Sequence, residues 1–161
     1  MKVLVISNCA VTIDIEDYPL LSRYNWYVKH DKYCSYVVCD VWLNKKRCKL
    51  YMHRLIMGMR KGEYDHINRN ALDNRKENLR ICTRKQNVAN RNVANKFGFR
   101  GVTRYKGTRD FIARIVDNGT RVTIGKFKTK EEAARAFDKK AKELHGEFAC
   151  LNFKEDSPCE S

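Results

Sequence analysis

Twice along this 161-residue chain a run of strand-patterned residues ends at a capping box, Thr83-Arg84-Lys85-Gln86 and Thr129-Lys130-Glu131-Glu132. A Ser or Thr followed three positions later by Glu or Gln satisfies backbone donors that a helix start leaves open, so each box sets where a helix begins. The first box follows Glu63-Tyr64-Asp65, a short strand, the loop formers of Asn68 to Asn74, and a second strand from Leu79 to Thr83. That order is strand, loop, strand, helix. The second box follows three strands, Arg100 to Tyr105, Phe111 to Val116 and Arg121 to Phe127. They are joined by a turn at Lys106-Gly107 and by Asp117-Asn118-Gly119, a hairpin signature that needs positive φ. Beyond it Ala133, Ala134, Ala136, Phe137, Ala141 and Leu144 give the helix one apolar stripe before Gly146 ends it. The fold class that follows is α+β.

Elsewhere the pattern is β-rich. Residues Tyr33 to Leu43 alternate aromatic and β-branched positions, and the turn Asn44-Lys45-Lys46 leads to a second run from Arg47 to Met52, which predicts a β-hairpin. Asp14 to Tyr27 carries Leu20, Leu21, Tyr24 and Trp26 at near-helical spacing, a short helix leading to a strand, and His53 to Met59 reads as one or two helical turns. Asn90 to Lys96 has three Asn and no apolar period, the end of a helix running into a linker.

The formal net charge is +14, a bias toward polyanions, with nucleic acid the default partner. It is unevenly spread. Residues 96–126 hold eight Lys or Arg against two Asp, whereas residues 127–161 hold seven against eight acids, so the sheet offers a basic face and the helix does not. Seven cysteines form no CxxC pair and are odd in number, which argues against a zinc ribbon and against a disulfide framework. No apolar run approaches the ~18 residues of a membrane span, and Val3 to Ile6 is too short for a signal segment. The expectation is a soluble, intracellular protein found in the cytoplasm or wherever its target DNA resides.

The chemistry concentrates between residues 65 and 87. Hydrolysis of a phosphodiester needs a positioned water, a base to deprotonate it, and a divalent cation for the charge that builds on the phosphate and leaving oxygen. A strand, loop, strand, helix unit can supply all three from its ends. His66 would be the base, Asp65 beside it a metal ligand, and Asn87, one turn into the capped helix, a second ligand. Oxygen donors of this kind favour Mg²⁺ or Mn²⁺ over zinc. His53 is read as packing or as touching a phosphate, with packing the stronger reading; His30 and His145 are surface or packing residues.

Five blocks in order carry a family resemblance: His53-Arg54-Leu55-Ile56, Asp65-His66-Ile67-Asn68, Leu72-Asp73-Asn74-Arg75, Glu77-Asn78-Leu79-Arg80 and Gln86-Asn87. They resemble the HNH homing endonucleases, the ββα-metal group common in phages and other viruses. Val11-Thr12-Ile13-Asp14, Leu20-Leu21 and Trp26 resemble the amino-terminal region of the same proteins, so the likeness extends over most of residues 10–92. The resemblance implies that Asp65 and Asn87 bind one metal ion per active site, that His66 is the general base, and that Asn78 braces the loop orienting His66. It also implies a phage- or virus-encoded mobile element.

Gly98-Phe99-Arg100-Gly101-Val102, Ile112-Ala113-Arg114-Ile115, Ile124-Gly125-Lys126-Phe127, the helix from Glu131 to Asp138 and Leu151-Asn152-Phe153 resemble the plant ethylene-response-factor (APETALA-type) DNA-binding domain. That likeness covers residues 97–153 and implies a three-stranded sheet laid in the major groove with its helix behind. Strand alternation places Val102, Phe111, Ala113, Ile115, Val122 and Ile124 toward the helix and Thr103, Tyr105, Arg114, Val116, Arg121 and Thr123 on the open face. Arg114 and Arg121 are suited to guanine edges, and Arg100, Arg104, Lys106 and Lys126 to phosphates. The plant domains carry Arg at the places of Thr103 and Tyr105, Glu at Arg114 and Trp at Thr123, so their target sequence does not transfer.

The expected organisation is an HNH nuclease domain with an N-terminal β-rich extension at 1–92 (ββα-metal core about 63–92), a linker at 93–97, the sheet domain at 98–153 and an acidic tail at 154–161. The expected function is a metal-dependent endonuclease cutting double-stranded DNA, with no membrane and no obligatory protein partner. A single metal site makes nicking the expected product of a monomer. Two other readings stand: a non-catalytic DNA-binding regulator built on the same scaffold, and an RNA-binding protein, for which Tyr105 alone offers a stacking position on the sheet.

Overall fold

The computed structural model describes residues 1–31, 34–91 and 95–153. The expected strand start at Tyr33, linker positions 93 and 94, and the acidic tail lie outside the described residues. The chain divides into two compact units, Met1–Asn87 and Val88–Ser161, and is α+β throughout.

The first unit opens with a hairpin, β1 (Lys2–Ile6) and β2 (Cys9–Ile13), around Ser7 and Asn8, which both hold positive φ without being glycine. A short 3₁₀ turn at Ile15–Asp17 and the helix α1 (Tyr18–Leu21) lead to β3 (Tyr27–His30). The predicted hairpin forms as β4 (Ser35–Leu43) and β5 (Lys46–Tyr51), and β3 adds to its edge in the order β3-β4-β5. Then come α2 (Met52–Ile56), β6 (Glu63–His66), a 3₁₀ turn at Lys76–Asn78, β7 (Leu79–Cys82) and the first turn of α3 (Arg84–Asn90), whose residues from Val88 on belong to the second unit. The core gathers Val11, Ile13, Leu21, Val37 and Met52, with Trp26, Leu55 and Leu72 packed on it.

The amino-terminal hairpin also ties down the loop between β6 and β7. Thr12 donates its N–H to the Leu72 carbonyl at 2.9 Å and accepts from the Asn74 N–H at 2.8 Å. Asp14 Oδ2 accepts the Lys76 N–H at 2.8 Å, and Lys76 Nζ reaches Glu16 at 2.6 Å and Asp17 at 3.0 Å. A loop rich in Asn is thereby fixed by partners some 60 residues earlier in the chain.

The second unit holds β8 (Val102–Arg104), β9 (Phe111–Asp117) and β10 (Thr120–Phe127) in the antiparallel order β10-β9-β8, with α4 (Lys130–His145) packed on one face. Val102, Ala113, Ile115, Ala133, Ala134, Phe137 and Ala141 form its core. Ala133, Ala134 and Ala141 let α4 approach the sheet closely. Gly101 is needed at that contact: with φ at +74°, a Cβ there would lie 2.1 Å from the Phe137 ring. Val122, expected toward the helix, is 39% exposed. It pairs with the core residue Ile115 and so shares its inward face, and its exposure follows from its place on edge strand β10 near the hairpin.

Both predicted capping boxes form. Gln86 N–H donates to Thr83 Oγ1 at 3.3 Å and Thr83 N–H to Gln86 Oε1 at 2.8 Å. Thr129 and Glu132 exchange the same pair of bonds at 3.2 and 3.3 Å. The six described cysteines are free thiols, and among the described residues no helix is long and apolar enough to cross a membrane.

Candidate active site

β6 alternates its side chains in the usual way, which puts Glu63 and Asp65 on one face and Tyr64 and His66 on the other. Asp65 is buried, and its Oδ2 accepts two N–H bonds from Arg80, its cross-strand partner on β7, at 2.9 and 2.8 Å. The carboxylate is thus fixed in place before any ligand arrives. Asn87 lies near the start of α3, where its N–H donates to the Thr83 carbonyl at 3.0 Å. Its side-chain Nδ2 donates to Glu63 Oε2 at 2.8 Å. A carboxylate can only accept, so this bond decides the amide's orientation and leaves Oδ1 facing away from Glu63.

His66 ends β6 and is buried. Burial pushes its imidazole below the ordinary value, opposed by the neighbouring Asn74 side chain and by the nearby charges of Asp65 and Asp73. The neutral ring is what a proton acceptor requires. The loop that follows is held by Asn78, also buried: its Oδ1 accepts the Asn68 N–H at 2.9 Å and its Nδ2 donates to the Asp73 carbonyl at 2.7 Å. Its backbone carbonyl accepts from Ile67, one residue past His66, at 2.9 Å. Asp73 in turn accepts two bonds from Arg75 at 2.8 Å and one from Asn68 Nδ2 at 2.8 Å. The Arg75 guanidinium holds the Asp73 carboxyl below the usual carboxylate range.

His53, carried by α2, packs its ring edge-on to His66 with centroids 5.2 Å apart and touches Tyr36, Tyr51 and Tyr64. Burial, with the positive fields of His66 and Arg54 added, pushes it down to about 3. A cleft of about 460 Å³ opens in front of this cluster, lined by Tyr36, Tyr51, His53, Arg54, Glu63, Tyr64 and Asn87. The cleft wall therefore brings together Asn87 and Glu63; Asp65 and His66 are not among its lining residues, and His66 meets it only through its ring contact with His53.

Sequence reasoning named Asp65, His66, Asn78 and Asn87 but passed over Glu63, Tyr36 and Tyr51. For Glu63 a signal existed: two residues before Asp65 on a strand means the same face. Tyr36 and Tyr51 arrive through strand pairing, which no local spacing reveals.

In the second unit Thr103, Arg114 and Arg121 line one shallow hollow of about 240 Å³ with Asn95, Gly101, Ile115 and Val116. Thr123 pairs with Arg114 across the sheet and is exposed. Lys126 Nζ lies 3.7 Å above the Tyr105 ring, Arg104 rests over Phe111, and Lys106 is exposed in the turn. Arg100 differs. Its Nη1 donates to the Ala89 and Arg91 carbonyls at 2.5 and 2.7 Å, which caps the end of α3 within this unit.

Comparison with known proteins fits this arrangement. The HNH endonuclease family profile matches residues 50–89, the span from the end of β5 through Asn87. An uncharacterized HNH endonuclease of Acanthamoeba polyphaga mimivirus is 32% identical over 145 residues, covering 87% of this chain and 73% of the viral protein. The chain belongs to the HNH endonuclease family. It is a nuclease of a class that acts on DNA, and it has a viral relative.

Proposed function

We propose that the protein is a metal-dependent DNA endonuclease of the homing type, with Asp65 and Asn87 holding one Mg²⁺ or Mn²⁺, His66 as general base, and Asn78 bracing the loop behind it. The observation that carries this reading is the placement of His66, a buried imidazole at the end of the strand on which Arg80 fixes Asp65. The donor set suits a hard cation: the Asp65 carboxylate and an Asn87 amide oxygen that its bond to Glu63 turns outward. No group of three His, Cys, Asp or Glu that could hold a metal occurs among the described residues, so the remaining ligands would come from water and the phosphate.

The steps on this protein follow from these placements. His66 takes a proton from the attacking water, which needs its neutral form, and Asn74 supports the charged form once the proton has moved. Asn78 holds the Ile67 to Asp73 loop, so the imidazole keeps its direction through the reaction. Glu63 orients the Asn87 amide as a hydrogen-bond partner outside the metal shell commonly does. A bound divalent cation would supply the positive charge that offsets the charge building on the phosphate and the leaving oxygen.

The ethylene-response-factor-like sheet serves, in this reading, to dock on the major groove. Arg114 and Arg121 contact base edges, with Thr103, Tyr105 and Thr123 beside them, and Arg104, Lys106 and Lys126 contact phosphates. Arg100, expected on a phosphate, is assigned instead to the end of α3, where its donors are engaged. The domain bounds proposed for the two activities are 1–92 and 98–153.

The test is supercoiled plasmid incubated with wild type and His66→Ala, with and without Mg²⁺ or Mn²⁺. Metal-dependent relaxation lost in the variant supports the reading; binding without cutting by either protein favours a DNA-binding regulator.

A further inference from the structure

The sheet β3-β4-β5 packs one face on the core, and its other face is covered at Val38 but opens to solvent toward the β4–β5 tip. Val28, Val37, Cys39 and Leu50 occupy the core side. Register places Tyr36, Tyr51, Lys49, Arg47 and Trp42 on the opposite side, because they share parity along paired strands. Tyr36 and Tyr51 are the aromatic wall of the cleft described above. From Tyr51 the row continues along β5 through Lys49 to Arg47, and Trp42 stands directly across from Arg47 at the tip. Six residue steps from Tyr36 to Trp42 make a track of roughly 20 Å at the rise of a strand.

Three features distinguish this track from an ordinary solvated strand. Trp42 is 73% exposed, a large aromatic surface left in water with no apolar cover. Its cations are pre-set: Asp40 accepts from Arg47 Nη2 at 2.8 Å, from Lys49 Nζ at 3.2 Å and from the Tyr27 hydroxyl at 2.9 Å. One acid thereby orders two cations and leaves a net positive charge, with further N–H groups on each. The tip is also stiff, since Asn44 and Lys45 both hold positive φ (48° and 64°) in the tight two-residue hairpin turn.

We propose that this outer face of β4–β5 is a second DNA-docking surface, which seats the duplex beside the phosphate held in the cleft. Arg47 and Lys49 contact backbone phosphates and Trp42 lies against sugar or base edges at the far end. Charge complementarity and continuity with the cleft choose DNA over an acidic or apolar protein partner. A track of this length spans roughly six phosphates of one strand at ~3.4 Å each. The role of the cleft rests on the nuclease reading; the binding itself does not.

The test uses the full chain and fluorescence anisotropy on a fluorescein-labelled duplex without metal, across a salt series. The variants are Arg47→Gln/Lys49→Gln, Trp42→Ala, and Lys46→Gln, which removes a charge from the same tip on the opposite face. Thermal melts followed by circular dichroism confirm that each variant folds. The double variant should bind ~10-fold more weakly, and its log K against log salt slope should be shallower by about 1.8, at ~0.9 per phosphate. Trp42→Ala should lose ~5-fold or more, within the range of base–aromatic contacts, and Lys46→Gln should stay within ~2-fold of wild type. Wild-type affinity and slope in the first two variants would overturn the proposal, as would an equal loss per charge in Lys46→Gln. Plasmid nicking by the same preparations separates the readings: a wild type that binds through this face but never cuts removes the nuclease assignment alone.

Discussion

At the scale of single residues, the bond between Asn87 and Glu63 makes a specific demand. Glu63→Gln can present a donor to the Asn87 amide, free it to turn, and so misdirect the oxygen meant for the cation. Loss of such an outer partner typically weakens metal binding ~10- to 100-fold. Mn²⁺ titration followed by electron paramagnetic resonance should show a weakening of that order, and unchanged affinity would remove Glu63 from the site. His53 makes a second demand, on stability. Its folded-state value of about 3 lies below the ordinary 6.5, so the unfolded chain takes up a proton first as pH falls. The contribution is full above pH 6.5 and is lost progressively down to about pH 3, at about 1.4 kcal/mol for each pH unit in that window. Urea midpoints measured between those limits should fall with pH in the wild type and less steeply in His53→Phe. Asp65, His66 and Asn87 stood out as candidates in the sequence because their spacing is local to one unit, and Asn78 through the family resemblance. The cluster around His53 was not, because it assembles from strands paired across tens of residues.

Among the elements, the loop between β6 and β7 and the helix α4 show what local signals can and cannot fix. Asn78 is buried and makes two side-chain bonds to the loop, at 2.9 and 2.7 Å. Asn78→Ala leaves the Asn68 N–H and the Asp73 carbonyl without those partners, a loss of roughly 1 to 3 kcal/mol, most of it from the buried bond to the carbonyl. Thermal unfolding of the variant should show that loss, and melting within a degree of wild type would contradict it. Gly101→Ala should be as damaging in the second unit, where the added methyl meets the Phe137 ring and the Arg114 carbonyl. Capping boxes set the start of α3 and α4 from four residues each, and structure and sequence agree there. The β1–β2 hairpin left little trace, since its turn uses Ser7 and Asn8 in place of glycine.

For the whole molecule, composition gave the partner and topology gave the means. A net charge of +14 directs the chain to DNA, but charge alone does not say which surfaces meet it. Within the second unit the hollow at Thr103, Arg114 and Arg121 supplies one candidate, and within the first the face ending at Trp42 supplies another. In the proposed function, cutting belongs to the strand, loop, strand, helix unit of residues 63–90. The measurement that tests this most directly is nicking of supercoiled plasmid by wild type and His66→Ala, scored beside duplex binding by both proteins in the same buffer with Mg²⁺. The account predicts that the variant binds as the wild type does while its nicking rate drops at least ~100-fold, the scale of a lost general base. Equal cutting by the two proteins would contradict it.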